Sequence, residues 1–330
     1  MAGGWIESWP QEWMKTYMTA RLTGDGLLIL DKPAGCTSHE LVQRVKRMLG
    51  ADKVGHGGTL DPFATGVLVL LVNEATKLSP YLAGEDKCYR FTLVLGVETD
   101  TLDSTGSVVA RYTGPVLQED ELRAACAALT GELDLEVPRY SAVRIGGERL
   151  YRLARRGVPV DPPTRRVSIR SLVLLDFRWP EATFETICSK GTYVRSLGAR
   201  LGRRLRCGAH VSRLRRLRSG SFTLEQAVTP TELAAAVATG ELTRIMIPTA
   251  EGLKEFPDLR VSHAGARRLR QGVALGRAEP LRDNGGRGWP QGVYRVLDPD
   301  DHLVALVTRS KAAQMSEEAP FETLRVFGTP

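Results

Sequence analysis

Residues 55–72 read GHGGTLDPFATGVLVLLV, Gly55 to Val72. The last six residues are apolar without interruption, which reads as a buried strand or the buried side of a short helix. The twelve before them hold four glycines, one histidine and one acid. Pro62 disfavours the α region for Asp61, so that carboxylate belongs to extended or turn geometry. Gly55, Gly57 and Gly58 tolerate positive φ or a close neighbour. His56 and Asp61 are thus displayed on a glycine-rich connection anchored to a core, a common way to present a reactive side chain. An ordinary Asp-Pro turn before a strand fits the same residues.

Upstream, Leu27–Leu30 reads as a strand ended by Lys32-Pro33. Thr37-Ser38-His39-Glu40 is a capping box; Leu41, Val45 and Leu49 share the face of the helix it opens, and Gly50 stops it. Downstream, Tyr89–Gly96 alternates as a strand does, and Ser107–Tyr112 reads as another. Leu122, Ala125, Cys126 and Leu129 mark a helix that Gly131 stops. Residues 138–163, rich in arginine and bounded by prolines, read as an inserted excursion. Val167–Phe177 and Thr183–Ser189 return to strand patterning. Thr192 is expected to cap a helix carrying Val194, Leu197, Leu201 and Leu205 inward. Thr229-Pro230-Thr231-Glu232 is a second capping box with proline at the favoured first position. Past a compositional shift at Pro248–Pro257, a short helix (263–271) and strand-like pieces (292–297, 303–308) suggest a small, mostly β unit. The expected division is a tail (1–24), a main domain (25–250) and a C-terminal domain (251–330).

The chain has 330 residues, 42% of them apolar, enough for more than one core. Lysine and arginine number 45 against 38 acids, a net charge of +7 that suits a nucleic-acid partner. The five cysteines form no CxxC pair and match neither a disulfide framework nor a zinc site, so they read as reduced core residues of a cytoplasmic protein. The first 23 residues space Trp5, Trp9 and Trp13 four apart among polar residues. They read as a short amphipathic helix or a disordered tail, not as a signal peptide or a membrane span.

Three further stretches present polar groups at element ends: Asp31-Lys32-Pro33-Ala34-Gly35, Asp86-Lys87-Cys88-Tyr89-Arg90 and Ser189-Lys190-Gly191-Thr192-Tyr193-Val194-Arg195. Arg195 falls in the first turn of its helix, where a cation gains nothing from the helix dipole. A carboxylate partner would explain it, and Asp61 is the candidate. An arginine fork would keep that carboxylate ionised and oriented. A solvated face is the plain alternative, given Arg200, Arg203, Arg204 and Arg206 nearby. HVSRLRRLR (210–218) interleaves Arg213, Arg215, Arg216 and Arg218 with leucines, which fits a phosphate-tracking surface or a solvated helix face. No phosphate-loop ending, nucleophile elbow, HExxH or calcium-loop pattern occurs.

Taken in order and spacing, DKPAG, GHGGTLDPFATG, ATKLSPYL, DKCYR, GVETDTLDSTG, RYSAVRIGGERLYRLARRG and CSKGTYVRSL followed by CGAHVSRLRRL resemble the TruB family of tRNA pseudouridine synthases over residues 26–245. The C-terminal segment resembles the family's small PUA-type domain. The resemblance implies an α+β fold: a curved, mixed, mainly antiparallel sheet with flanking helices, plus a small β-rich domain. It implies isomerisation of uridine 55 in the tRNA T-loop, with Asp61, Tyr89 and Arg195 catalytic. Tyr89 would stack on the target base and Arg195 pair with Asp61. His56 would support the flipped-out loop, and Leu214 would lie against Tyr89. Lys32, Lys190, Arg215 and Arg216 are expected on the RNA side. Pro33, Gly55, Gly58, Pro62 and Gly191 would shape the site, and residues 135–160 resemble a thumb that closes on RNA. The chain departs from the family pattern at Gly57, Phe63 and Asn73. Isomerisation consumes no electrons or phosphate, so no cofactor or metal is expected; the expected partner is tRNA, bound by a monomer. A flipped base and glycine-rich backbone agree with this chemistry. Two other readings stand beside it: the related guide-dependent type that modifies rRNA within a ribonucleoprotein, or an RNA-binding or tRNA-folding module.

Overall fold

The computed structural model describes residues 22–278, 290–309 and 321–328. The tryptophan-spaced segment up to residue 21 lies outside them. The described chain opens with β1 (Gly26–Lys32), α1 (Ser38–Leu49), β2 (Val54–His56) and β3 (Thr65–Val72). The Thr37 hydroxyl accepts the Glu40 N–H while the Glu40 carboxylate accepts the Thr37 N–H, closing the capping box. Short helix α2 (Ser79–Ala83) leads into β4 (Lys87–Leu95), then the hairpin β5 (Val97–Thr99) and β6 (Val108–Arg111). Helix α3 (Glu119–Ala128) ends before Gly131, which opens β7 (Gly131–Glu136) instead of stopping the helix. The excursion holds β8 (Arg144–Ile145), β9 (Glu148–Arg149) and α4 (Leu150–Arg155). After it come β10 (Thr164–Arg178), β11 (Glu181–Cys188), α5 (Val194–Arg204), β12 (Ala209–Ser219), β13 (Phe222–Thr223), α6 (Pro230–Thr239) and α7 (Leu242–Ile245).

Two further local expectations need correction. Tyr193, not Thr192, precedes α5, and no side chain caps it. The Thr192 hydroxyl donates to the Ser189 carbonyl at 2.9 Å, closing the turn behind the helix. The arginine-leucine segment 210–218 is strand, not helix face: it is β12, in the middle of the main sheet.

The main sheet runs β1-β3-β12-β4-β11-β10-β7, with β2 on β3 and β13 on β12. Strand β12 pairs parallel with β3 through Arg215 and Arg216, and every other pairing of this sheet among the described residues is antiparallel. Its two halves explain the two sequence patterns. Strands β1 and β3 are covered on both faces. Leu28, Leu30, Leu68 and Leu70 pack against α1 and α6, while Leu27, Ile29, Val67 and Val69 pack on the other side. That double burial demands an unbroken apolar run. Strand β4 puts Phe91, Leu93 and Leu95 into one core with residues of α3 and α5, while the other face carries exposed Arg90 and half-buried Val94, so it alternates.

The C-terminal part forms a second sheet, β14 (Asp258–Arg260), β15 (Gly292–Leu297), β16 (Leu303–Arg309) and β17 (Glu322–Val326) in that order, with helices α8 (His263–Arg270) and α9 (Leu275–Ala278). Leu297, Leu303, Leu306 and Phe327 share one apolar core with Leu27, Leu71 and Leu78 of the main domain. Lys77 donates to the Val326 carbonyl at 2.8 Å, and the Gly328 N–H to Glu74 at 2.9 Å. All five cysteines are buried and unpaired. Among the described residues no helix is long and apolar enough to cross a membrane.

Candidate active site

The loop between β2 and β3 is held at almost every residue. The Gly57 N–H donates to the Val69 carbonyl at 2.9 Å. The Ser38 hydroxyl, on α1, donates to the Leu60 carbonyl and accepts the Leu60 N–H. The Ala64 N–H returns to the Asp61 carbonyl at 3.1 Å, and the Gly35 N–H donates to Pro62 at 2.9 Å. Gly66 is where the backbone demands glycine: φ is 104°, and a Cβ would lie 2.2 Å from the Arg216 carbonyl oxygen. These bonds fix Asp61 in the turn that Pro62 imposes.

The Asp61 side chain meets Arg195 in a two-pronged pair. Arg195 Nε donates to Oδ2 at 2.9 Å and Nη2 to Oδ1 at 3.0 Å. The guanidinium is 3% exposed and the carboxylate 29%, so Asp61 faces outward from a buried cation. A fork of this geometry orients the acid. The remaining guanidinium edges are filled: Nη1 donates to the Thr101 carbonyl at 3.0 Å and Nη2 to the Tyr140 carbonyl at 3.1 Å. Asp103 lies 3.4 Å from Nη1. Its carboxylate is itself held by Thr101 and Thr105.

Tyr89 and Leu214 bound the apolar side. They sit on the same face of neighbouring strands β4 and β12, in the cluster that also contains Leu60 and Ala64 from the Asp61 loop. Burial holds the Tyr89 phenol above its ordinary pKa, with Arg216 opposing the shift, so it stays protonated at neutral pH. His56 is half-buried at the end of β2, and its Nδ1 accepts the Gly58 N–H at 3.3 Å. Burial first, and Arg216 second, lower its pKa. Pro62 is exposed on the loop, Pro33 lends its carbonyl to Lys32, and Gly55 pairs with Leu71. Gly58 and Gly191 both take positive φ.

Two expected RNA contacts belong to the interior instead. Lys32 is 0% exposed, and its ammonium donates to the carbonyls of Pro33, Pro62 and Ala64 at 2.8, 3.2 and 2.8 Å. Arg216 is 1% exposed and donates to the carbonyls of Val67, Thr59 and Gly58. Both cations replace the water that buried carbonyls of a sharply folded loop would otherwise need. A phosphate cannot reach them. Arg215 is half-exposed but committed to Asp31 at 2.6 Å and to Thr65, and Lys190 is exposed.

The sequence reading missed Asp103 and Lys87. Asp103 stands in the quoted GVETDTLDSTG run, whose threonines and acids are the signal for a side-chain-closed turn. Lys87 is buried beneath the end of α2, where it donates to the carbonyls of Leu82, Ala83 and Glu85. Desolvation lowers its pKa to about 8. Its place in the K-x-Y triplet gave no sign of that inward turn.

Comparison with known proteins gives concordant results. Residues 46–194 match the model of the TruB family pseudouridylate synthase N-terminal domain, and residues 195–254 that of the tRNA pseudouridylate synthase B C-terminal domain. A protein of Syntrophobacter fumaroxidans named tRNA pseudouridine synthase B is 48% identical over 85% of this chain and 92% of its own length. Its namesake in Geobacter sulfurreducens is 40% identical over 92% of this chain and 99% of its own. A solved chain in a Cbf5-Nop10-Gar1 complex superposes with a TM-score of 0.71 at 25% identity, over 92% of this chain and 85% of that one.

Proposed function

The chain belongs to the TruB family of pseudouridylate synthases, and on that premise we propose that it isomerises uridine 55 in the T-loop of tRNA to pseudouridine. Pseudouridine synthesis on tRNA is the activity of the family. The choice of uridine 55 and the residue roles are the reading that the site supports best. The observation that carries it is the two-pronged Arg195–Asp61 pair, its carboxylate partly exposed near Tyr89.

On this reading the work divides among a few residues. A uridine in a folded loop must leave its stack to reach Asp61, and the Tyr89 ring offers a face for the extruded base. Arg195 pairs with Asp61 and orients it as nucleophile or base. The carboxylate could attack the ribose, add to the base or remove a sugar proton, and each path uses the same Asp61 side chain. The high phenol pKa keeps a proton on Tyr89, available where C5 exchanges one. Arg213 and Lys190, exposed on this half of the molecule, supply positive charge for the RNA backbone. Residues 25–250 carry the chemistry, and the PUA-like residues 251–330 add RNA contacts. The protein acts as a cytoplasmic monomer.

Purified chain incubated with a bare tRNA transcript should form one pseudouridine, and a transcript with cytidine at position 55 should form none. Activity that appears only with a guide RNA and partner proteins would overturn the stand-alone reading.

A further inference from the structure

The excursion between β7 and β10 carries six arginines against two acids over residues 138–163. Helix α4 and the residue before it gather three of those arginines on one aromatic ring. The Arg155 guanidinium carbon lies 5.7 Å from the centre of the Tyr151 ring, within cation–π range. The Tyr151 phenol oxygen accepts hydrogen bonds from Arg152 and from Arg149, which lower its pKa in that order. Arg149, Arg152 and Arg155 are exposed and Tyr151 is half-exposed, so a ligand in solution reaches all four. The next arginine, Arg156, is taken by Glu148 at 2.8 Å. Three cations that converge on a neutral phenol repel one another and gain only an uncharged acceptor. An anion at the same point would be bonded by charged forks and would cancel that repulsion.

We propose that Tyr151, with Arg149, Arg152 and Arg155 gathered on it, is a binding site for one backbone phosphate of the RNA near the target uridine. This rests on the proposed function and adds a contact surface to it. The placement argues for the substrate strand. The Tyr151 N–H donates to the Ser141 carbonyl at 3.0 Å, the adjoining Tyr140 carbonyl accepts from Arg195 at 3.1 Å, and Arg195 holds Asp61 at 3.0 Å. Three hydrogen bonds and one peptide unit thus keep the Tyr151 backbone within about 15 Å of the reactive carboxylate. A duplex strand carries a phosphate about every 3.4 Å of rise, so several lie within that radius of a uridine held at Asp61. Positive charge alone would make a diffuse surface. The phenol makes a fixed point of it, since its oxygen orients two guanidinium forks and its O–H can donate a bond of its own.

The test separates an organised site from mere charge. Tyr151→Phe keeps the net charge, the ring and its Arg155 contact, and removes only the oxygen. Its Kd for a tRNA transcript should rise about 3- to 10-fold, with kcat at saturation and melting temperature unchanged. Arg152→Ala should also weaken binding and lower the slope of log affinity against log salt by about 1. Transcripts with a methylphosphonate at each T-arm position in turn locate the phosphate. One such substitution should weaken wild type and have no further effect on Arg152→Ala. Wild-type affinity in Tyr151→Phe would reveal a diffuse positive surface and overturn the proposal. Losses that multiply at every methylphosphonate position would overturn it too. If wild type binds tRNA but forms no pseudouridine, the functional reading fails, while the affinity cycle still decides the phosphate site. If pseudouridine forms and Tyr151→Phe binds as wild type does, the phosphate site alone fails.

Discussion

Arg195 is a buried cation between two acids and two carbonyls, which makes it a structural as well as a chemical residue. Arg195→Ala leaves Asp61 and Asp103 facing one another without their shared counter-ion. Breaking a pair of this kind costs about 3–5 kcal/mol. Urea unfolding should show that loss, together with near-complete loss of turnover; an unchanged midpoint would contradict the geometry. Lys32→Met should likewise destabilise, by at least about 2 kcal/mol, since three carbonyls lose their donor. It should leave the salt dependence of tRNA binding unchanged, whereas Lys190→Ala should reduce that slope by about 1. An equal slope change in both would show that Lys32 reaches the RNA. His56 has a lowered pKa, so above its ordinary value of 6.5 it is neutral whether folded or unfolded. As pH falls below 6.5 the unfolded chain takes up the proton first, and stability is lost progressively towards the lowered value. An NMR titration of His56 should give a midpoint below 6.5, and one at or above it would contradict the burial seen here. The Asp61–Arg195 pairing was legible in the sequence because a cation in a first helical turn lacks a local reason. The inward turn of Lys32 and Arg216 was not, since charge alone does not reveal which carbonyls a fold leaves dry.

At the scale of elements, β12 joins the two halves of the sheet, parallel to β3 and antiparallel to β4. That junction needs the backbone of Gly66 against Arg216. Gly66→Ala puts a Cβ into a carbonyl at a φ that alanine resists. It should cost more than about 3 kcal/mol or abolish soluble expression; a stable, active Gly66→Ala protein would contradict the register. The continuous run of β3 and the alternation of β4 announced strands with two covered faces and one. The arginines of β12 hid a central strand, because their alternation with leucine also fits a solvated helix. Thr192 carried a capping residue's identity, but its hydroxyl closes the preceding turn, a choice set by the backbone around Gly191.

At the scale of the molecule, the composition shift near residue 250 announced a separate C-terminal unit, and a second sheet is there. Its apolar core, however, continues into β1 and β3 through Leu297, Leu303, Leu306 and Phe327. No local pattern encodes such sharing, since each segment reads as an ordinary buried strand. Leu306→Ala should therefore destabilise the whole chain by about 2–5 kcal/mol, in one transition common to fluorescence and circular dichroism. A separate early transition of the C-terminal part would contradict the shared core. The proposed function rests on one claim: Asp61, paired with and aimed by Arg195, performs the isomerisation. Tritium release from C5-labelled tRNA in a single turnover tests it most directly, with affinity measured alongside. Wild type should release tritium, and Asp61→Asn should bind tRNA comparably and release none. Release by Asp61→Asn at the wild-type rate would contradict the claim.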